Sequence, residues 1–416
     1  MHSKSHSFDH KVLGINLLGA PYIPIAIQYA NSLKHKYDND FLLIIGGQIV
    51  SGLSDNQITK LFGPNVINGN KIEILSENLK IEKNKFKRIE ELSLIPAYSK
   101  LSDDYMRQYL KNEFGFYLSQ GCKYACSFCS AKRSSHDPIT KKLTKIKEVY
   151  RDLNIANSDL EYLVLKALSF GIHGLNLYLS NLDLFQNPLI LSQFAENVIQ
   201  LKRNYHNFSI NLRALSNVRS FLQTHKSNPK IISKIIEAGL YRIGFGIDGA
   251  TPKIWKATRK PQTKSECIQA IAIAKDVYGL IPETLMVFGY KHEDKTSLQL
   301  GYEFVRDMYE NYNALPRPHV AKYIAPGNDG WNDKQNEHIA NKFIASPILF
   351  QNLDFTAIPS PYTHPNNELR ELVTTYYLKI CHELPSLTQY VKPETPLLNK
   401  QELNEVRMFN LKRYDI

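Results

Sequence analysis

Between residues 114 and 326, short apolar runs alternate with helical runs, and this alternation limits the possible folds more than any other feature. The strand-like runs are FGFYLSQG (114–121), GLNLYLS (174–180), FSINLRA (208–214), YRIGFGID (241–248), ETLMVFGY (283–290) and HVAKYIA (319–325). Helical runs fall between them, near 142–169, 189–205, 229–238, 263–278 and 295–311. Parallel strands need a long crossover and antiparallel strands do not, so this spacing predicts a parallel sheet with helices on one face. Six strand–helix units fall short of the eight that close a barrel, so the expectation is a partial (β/α)6 barrel. In parallel α/β sheets, ligands collect at the carboxyl ends of the strands.

The flanking regions extend this α/β class. Residues 1–78 read as a small Rossmann-like domain: a strand in KVLGINLLGA (11–20), a helix over 23–37, and a strand in FLLIIGGQIV (41–50). A helix follows, capped by Ser54 and Asp55 and closed by Gly63, and NVINGNKIEIL is expected to add one or two short strands. Residues 79–113 read as a linker with one or two short helices. The barrel occupies 114–326. Residues 327–416 form a short C-terminal region, irregular around Pro359, Pro361 and Pro365, with a helix near 367–384.

No apolar run approaches the ~20 residues that span a bilayer. The first ten residues, MHSKSHSFDH, lack the apolar core of a secretory signal, so a cytoplasmic location is expected, with His2, His6 and His10 on a frayed terminus. The net charge of +11 raises the question of an anionic partner. The basic runs IEKNKFKR (81–88) and KKLTKIK (141–147) are not interleaved with aromatics, so they read as solvated helix faces or linker, and nucleic acid is not expected as a partner.

The five cysteines argue against a disulfide framework in such a compartment. Cys267 and Cys381 fall on apolar helical faces and read as buried thiols. The other three, Cys122, Cys126 and Cys129, lie within eight positions in the loop after the first barrel strand. Three thiolates in one loop can hold three corners of an iron–sulfur cluster and leave one iron open to substrate. A zinc site of three cysteines completed by His136 is the competing reading, although no second cysteine pair is present.

The segment Cys122-x3-Cys126-x-Phe128-Cys129 resembles the signature of the radical S-adenosylmethionine (radical SAM) superfamily, whose fold is also a partial barrel of six units. The resemblance covers about residues 114–326. It implies a 4Fe–4S cluster on Cys122, Cys126 and Cys129, with Phe128 beside it. S-adenosylmethionine (SAM) would chelate the open iron and be cleaved reductively to a 5′-deoxyadenosyl radical. It also implies SAM contacts from Ser180, Asn181 and Asp183 in YLSNLDLF, where the family's Gly-Gly-Glu is absent. Further contacts would come from Arg213, expected at the end of the third strand, and from Asp248 in RIGFGID. MVFGYKHEDKTS keeps Gly289 and Thr296 of a later family segment, and YIAPGNDGW carries Asn328 where the family has Thr.

These later segments resemble a subgroup in which a cobalamin-binding-like domain precedes the barrel. LLIIGGQIVSGLSDNQITKLFG looks like that domain's Gly-Gly segment, and LSLIPAYSKLSDDYMRQYL looks like its connector. Cobalamin is thus implied as a further cofactor. The alternative is a domain that shields the site without cobalt, since NLLGAPYIPIAI lacks the histidine found in many cobalamin enzymes. The resemblance implies modification of an unactivated carbon of a small molecule or peptide, with methyl transfer if cobalamin binds and radical cyclisation or rearrangement if it does not. An RNA-modifying radical enzyme is the other alternative. An electron donor such as flavodoxin or ferredoxin is the implied protein partner. Tyr323, Trp331, Tyr362 and His364 are expected near the barrel mouth.

Overall fold

The computed structural model describes residues 12–37, 41–136, 140, 142–353 and 360–384. His2, His6 and His10, the side chain of His136, and Pro359 lie outside the described residues.

Three parallel strands open the chain: β1 (Val12–Asn16), β2 (Leu42–Gly46) and β3 (Val66–Asn68), paired in the order β1-β2-β3. Helices α1 (Ile23–Tyr37) and α2 (Asp55–Phe62) connect them. The α2 start was legible in the sequence: Ser54 and Gln57 form a reciprocal capping box, and Gly63 closes the helix at φ 100°. The segment NVINGNKIEIL supplies one short strand, β3, and its KIEIL end leads into helix α3 (Ile72–Leu79).

The linker holds a single helical turn (Ile95–Tyr98) and helix α4 (Asp103–Lys111). It is no loose tether. Arg151 and Asp159, both fully buried, form an ion pair, and Asp159 also accepts from Ser93 Oγ at 2.6 Å and from the Leu94 amide at 2.8 Å.

The second sheet has six parallel strands: β4 (Glu113–Tyr117), β5 (Gly174–Ser180), β6 (Ser209–Ser216), β7 (Leu240–Gly246), β8 (Ile281–Phe288) and β9 (Leu315–Val320). Their order is β9-β8-β7-β6-β5-β4, a sequential open sheet as expected for a partial barrel. Helices α5 (Leu153–Ser169), α6 (Pro188–Asn204), α7 (Val218–Ser227), α8 (Pro229–Ala238), α9 (Pro252–Thr258), α10 (Lys264–Ala272) and α11 (Lys295–Tyr312) complete the units. Leu177, Leu212, Ile243, Met286 and Phe304 belong to one continuous core between sheet and helices.

Three boundaries differ from the sequence reading. The sixth strand starts at Leu315, four residues early. Pro316 and Pro318 lie in it, and they fit because β9 is a sheet edge, where a missing N–H breaks no interior ladder. The segment from residue 142 is not helical. Ser135–His136 pairs with Leu143–Thr144, and Ser119–Gln120 with Val149–Tyr150; α5 starts only at Leu153, behind the Asp152 cap. Helix α7, capped by Asn217, was not anticipated.

The C-terminal region adds α12 (Glu337–Ala345) and α13 (Asn367–Glu383), the latter as expected. Ile324, Trp331, Phe343, Phe350 and Tyr362 pack into one cluster with Leu17, Ile23, Ile45, Ile58 and Phe62. The N-terminal sheet therefore completes its core with the chain that follows the barrel, and Trp331 and Tyr362 serve that core. Cys267 is buried as expected, whereas Cys381 is only half-buried.

Candidate active site at the carboxyl end of the barrel

β4 runs straight into the cysteine loop, and backbone bonds close the loop on itself. The Cys122 amide donates to Lys132 O at 3.1 Å, the Ser134 amide to Cys122 O at 2.9 Å, and the Cys129 amide to Cys126 O at 3.3 Å. Three neighbouring loops then hold it. After β5, Gln186 accepts from the Lys123 amide at 2.8 Å and donates to Gly121 O at 3.2 Å. After α9, Thr258 O accepts from the Ser127 amide at 3.0 Å and Arg259 Nε donates to Ala125 O at 2.8 Å. After β9, the Asp329 amide donates to Ser127 O at 3.0 Å, and its carboxylate pairs with Arg133 and Arg259. Arg133 Nε in turn donates to Cys129 O at 2.7 Å. These bonds fix the backbone on both sides of every cysteine.

The three thiols are free, Cys126 buried and the other two half-buried. Burial pushes Cys122 up to about 12 and raises Cys126 and Cys129 as well. An apolar setting alone disfavours thiolates; coordination to a metal is what favours them. Among the described residues, no three His, Cys, Asp or Glu side chains converge on one ion. A four-iron cluster takes each thiolate on a separate iron.

Around the loop, buried polar groups point into the same region. Asp183, 1% exposed, accepts through Oδ1 from Ser216 Oγ at 3.1 Å and the Asn217 amide at 3.0 Å, while its Oδ2 has no partner. Its carboxyl is raised, first by burial. Ser180 ends β5 and is half-buried. Buried Asn181 satisfies its amide locally, donating to Leu179 O at 2.9 Å and accepting from the Leu184 amide at 3.2 Å. Asp248 sits at φ 49°, the left-handed region, and forms an ion pair with buried Lys260. Gly246 makes room for that pair, since a Cβ there would lie 2.6 Å from Lys260 Nζ. Burial pulls Lys260 down, but Asp248 and then Cys126 outweigh it and hold the ammonium charged. Phe128 packs against Ile254, Val287, Ala321 and Tyr290, its ring 5.1 Å from that of Tyr290.

Arg213 is placed differently from the expectation. It lies three residues before the end of β6, and its guanidinium grips Glu283 at 2.9–3.1 Å and Glu113 at 2.9 Å. Glu113 begins β4, so this cluster marks the amino end of the barrel, away from the cysteines. Arg242 and Arg317 also reach Glu283, at 3.5 and 3.3 Å. Burial alone would raise the Glu283 carboxyl, yet the three guanidiniums hold it below its ordinary value.

Sequence reasoning missed Lys260, Gln186, Asp329, Arg259 and Tyr290. Their partners are remote in the chain, and no local pattern marks them. Gly327 carried more signal, because Pro326-Gly327-Asn328 forms a tight turn. Asn328 Oδ1 accepts the Ala325 and Trp331 amides at 3.2 and 3.0 Å. Gly327, at φ 89°, lies against Ser130 of the cysteine loop on one side, where a Cβ would be 3.2 Å from Ser130 O. A Cβ on Gly52, in the β2–α2 connection, would collide with the Gly327 backbone. Gly52, Gly327 and Ser130 thus form a close-packed column from the N-terminal domain to the cysteine loop.

A partial barrel with a three-cysteine loop at its carboxyl end defines a class of cluster-dependent enzyme. Residues 116–300 match the Radical SAM superfamily model. The chain is 23% identical over 194 residues to an uncharacterized methyltransferase of Pyrococcus horikoshii, covering 47% of this chain and 37% of that protein. Its fold matches the radical SAM methyltransferase TsrM from Kitasatospora setae, solved with cobalamin and a [4Fe–4S] cluster bound, at TM-score 0.53 and 10% identity, over 77% of this chain and 64% of that one. It also matches the cobalamin-dependent SAM radical enzyme OxsB, solved with aqua-cobalamin and SAM bound, at TM-score 0.52 and 14% identity. That match covers 97% of this chain and 58% of OxsB, so it includes the N-terminal sheet as well as the barrel. The chain spans less than two thirds of the length of each of these relatives.

Proposed function

We propose that this chain holds a 4Fe–4S cluster on Cys122, Cys126 and Cys129, cleaves SAM reductively, and methylates an unactivated carbon of a small molecule or peptide with the help of cobalamin. The Gly52–Gly327–Ser130 column carries the cobalamin part of this reading, because it sets the carboxyl end of the N-terminal sheet against the cysteine loop. The donor set suits the cluster: three free thiols in a backbone-locked loop, with the unpartnered Asp183 Oδ2 and the Tyr290 hydroxyl nearby. The N-terminal domain suits a flat macrocycle. Leu18 and Tyr22 stand exposed after β1, at 69% and 57%, and offer apolar surface beside the strand ends. No histidine from that loop would ligate the cobalt.

When bound, the cluster supplies the electron that breaks the sulfonium bond, and cobalamin supplies a methyl carrier. The protein's own residues bind, orient and exclude water. Asp183 Oδ2 and Asp248 are placed to accept hydrogen bonds from the SAM amino group and ribose. Buried Lys260 pairs with Asp248 beside Cys126. The shared core around Trp331, Phe343 and Tyr362 keeps the N-terminal domain seated over the loop. The electron would come from an acidic carrier such as flavodoxin or ferredoxin, meeting exposed Lys123, Lys132, Lys145 and Lys147 on and beside the cysteine loop.

Anaerobic reconstitution with iron, sulfide and hydroxocobalamin tests the reading. Expected are iron and sulfide close to a four-iron cluster per chain, release of 5′-deoxyadenosine or S-adenosylhomocysteine from SAM, and a bound-cobalamin absorbance that survives gel filtration. A cluster with SAM cleavage but no retained cobalamin would favour radical cyclisation or rearrangement instead.

A further inference from the structure

Tyr290 lies just past β8, and its surroundings fix it unusually well. Its amide and that of Gly289 donate to one oxygen of Glu293, at 3.0 and 2.6 Å, while the Glu293 amide donates back to Tyr290 O at 2.9 Å. Its ring is held by Ile254, Val287 and Ala321, and meets the Phe128 ring at 5.1 Å and 54°. Phe128 is the residue immediately before Cys129 and two after Cys126. The side chain is 5% exposed, yet its hydroxyl has no hydrogen-bond partner.

A buried hydroxyl without an acceptor is costly, and native structures rarely keep one without a reason. The groups around it narrow the choice. The ionisable groups near it are Asp248, Glu293, Cys126 and Cys129. Asp248 is paired with Lys260, and Glu293 is tied to the amides of its own loop. A phenol keeps its proton at neutral pH, so it is a donor. A sulfide of a cluster held beside Phe128 is an acceptor that suits such a donor.

We propose that the Tyr290 hydroxyl donates a hydrogen bond to a sulfide of the cluster, and thereby makes the cluster easier to reduce. The inference rests on the cluster reading above. A hydrogen bond to a cluster sulfur stabilises the more negative, reduced state, so donor number is one of the levers that set such potentials. Phe128 then acts as a positioning residue, since its ring holds the phenol's tilt.

The test uses the full chain with its cluster reconstituted, comparing wild type with Tyr290→Phe in a potentiometric titration followed by EPR. The variant is expected to keep the wild-type iron content. At a fixed solution potential its ratio of reduced to oxidised cluster should fall about tenfold, equivalent to about 59 mV for one electron. Pulsed hyperfine spectra in H2O and D2O should show one exchangeable proton coupled to the wild-type cluster and lost in Tyr290→Phe. Replacing Tyr290 site-specifically with 3-fluorotyrosine, which keeps the fold and strengthens the donor, should move the potential the opposite way. Unchanged potential and proton coupling, with the cluster intact, would overturn the inference and leave the proposed function standing. Unchanged potential with weakened SAM binding would also overturn it, by assigning the hydroxyl to SAM. Failure of wild type to hold a four-iron cluster would remove both.

Discussion

The two ends of the barrel carry buried charge in opposite ways. At the amino end, Glu283 is fully buried and answered by Arg213, Arg242 and Arg317, with Glu113 on the far side of Arg213. At the carboxyl end, Asp183 Oδ2 and the Tyr290 hydroxyl are buried without partners near the cysteine loop. A carboxylate met by several guanidiniums has nothing left to offer a ligand. Unanswered polar atoms are an unfinished hydrogen-bond set, which a bound group can complete. The contrast separates the charge that holds the sheet from the groups kept for chemistry.

The largest effects should come from the cysteines. Cys122→Ala, Cys126→Ala or Cys129→Ala should each remove the cluster and bring SAM cleavage to background, while Cys267→Ala leaves iron content unchanged. A full cluster in any of the first three would break the assignment. At the opposite end, Glu283→Gln should cost roughly 3–5 kcal/mol of unfolding free energy by leaving buried guanidiniums short of their carboxylate, measured by denaturant titration. Arg213→Ala should lower stability by less and leave SAM affinity unchanged in the reconstituted protein. A selective loss of SAM affinity in Arg213→Ala would erase the distinction between the two ends.

Gly52→Ala should cost on the order of 1–3 kcal/mol through overpacking against Gly327, and should weaken hydroxocobalamin retention without lowering iron content. Equal retention by the variant would detach the column from cobalamin binding. Stability should also depend on pH. Burial raises the Glu293 carboxyl to about 8, offset in part by the amides of Gly289 and Tyr290. The folded state then keeps a proton that the unfolded state has released. Stability should therefore fall as pH rises from about 4.5, the ordinary value, to about 8. Glu293→Gln should flatten that slope, as read by thermal melts across the window.

Local features were legible in the sequence and long-range ones were not. The Ser54 cap and the strand GLNLYLS each express themselves within a few residues, and they read correctly. The start of β9 was misread because Pro316 and Pro318 look like breakers until the strand is known to be an edge. Arg213 was assigned to SAM because a charge near a strand end looks functional; its partners Glu113 and Glu283 are 100 and 70 positions away in the chain. The shared core of Ile23, Phe62, Trp331 and Phe343 was likewise hidden, because nothing in a helix pattern names its remote neighbour.

On the proposed function, Cys122, Cys126 and Cys129 hold a cluster with one open iron. EPR of the anaerobically reconstituted, dithionite-reduced protein, recorded with and without SAM, is the decisive measurement. A reduced 4Fe–4S signal is expected, with g-values that shift when SAM is added, and it should be absent from the variant carrying Cys126→Ala. A cluster signal indifferent to SAM, or one that survives Cys126→Ala, would contradict it.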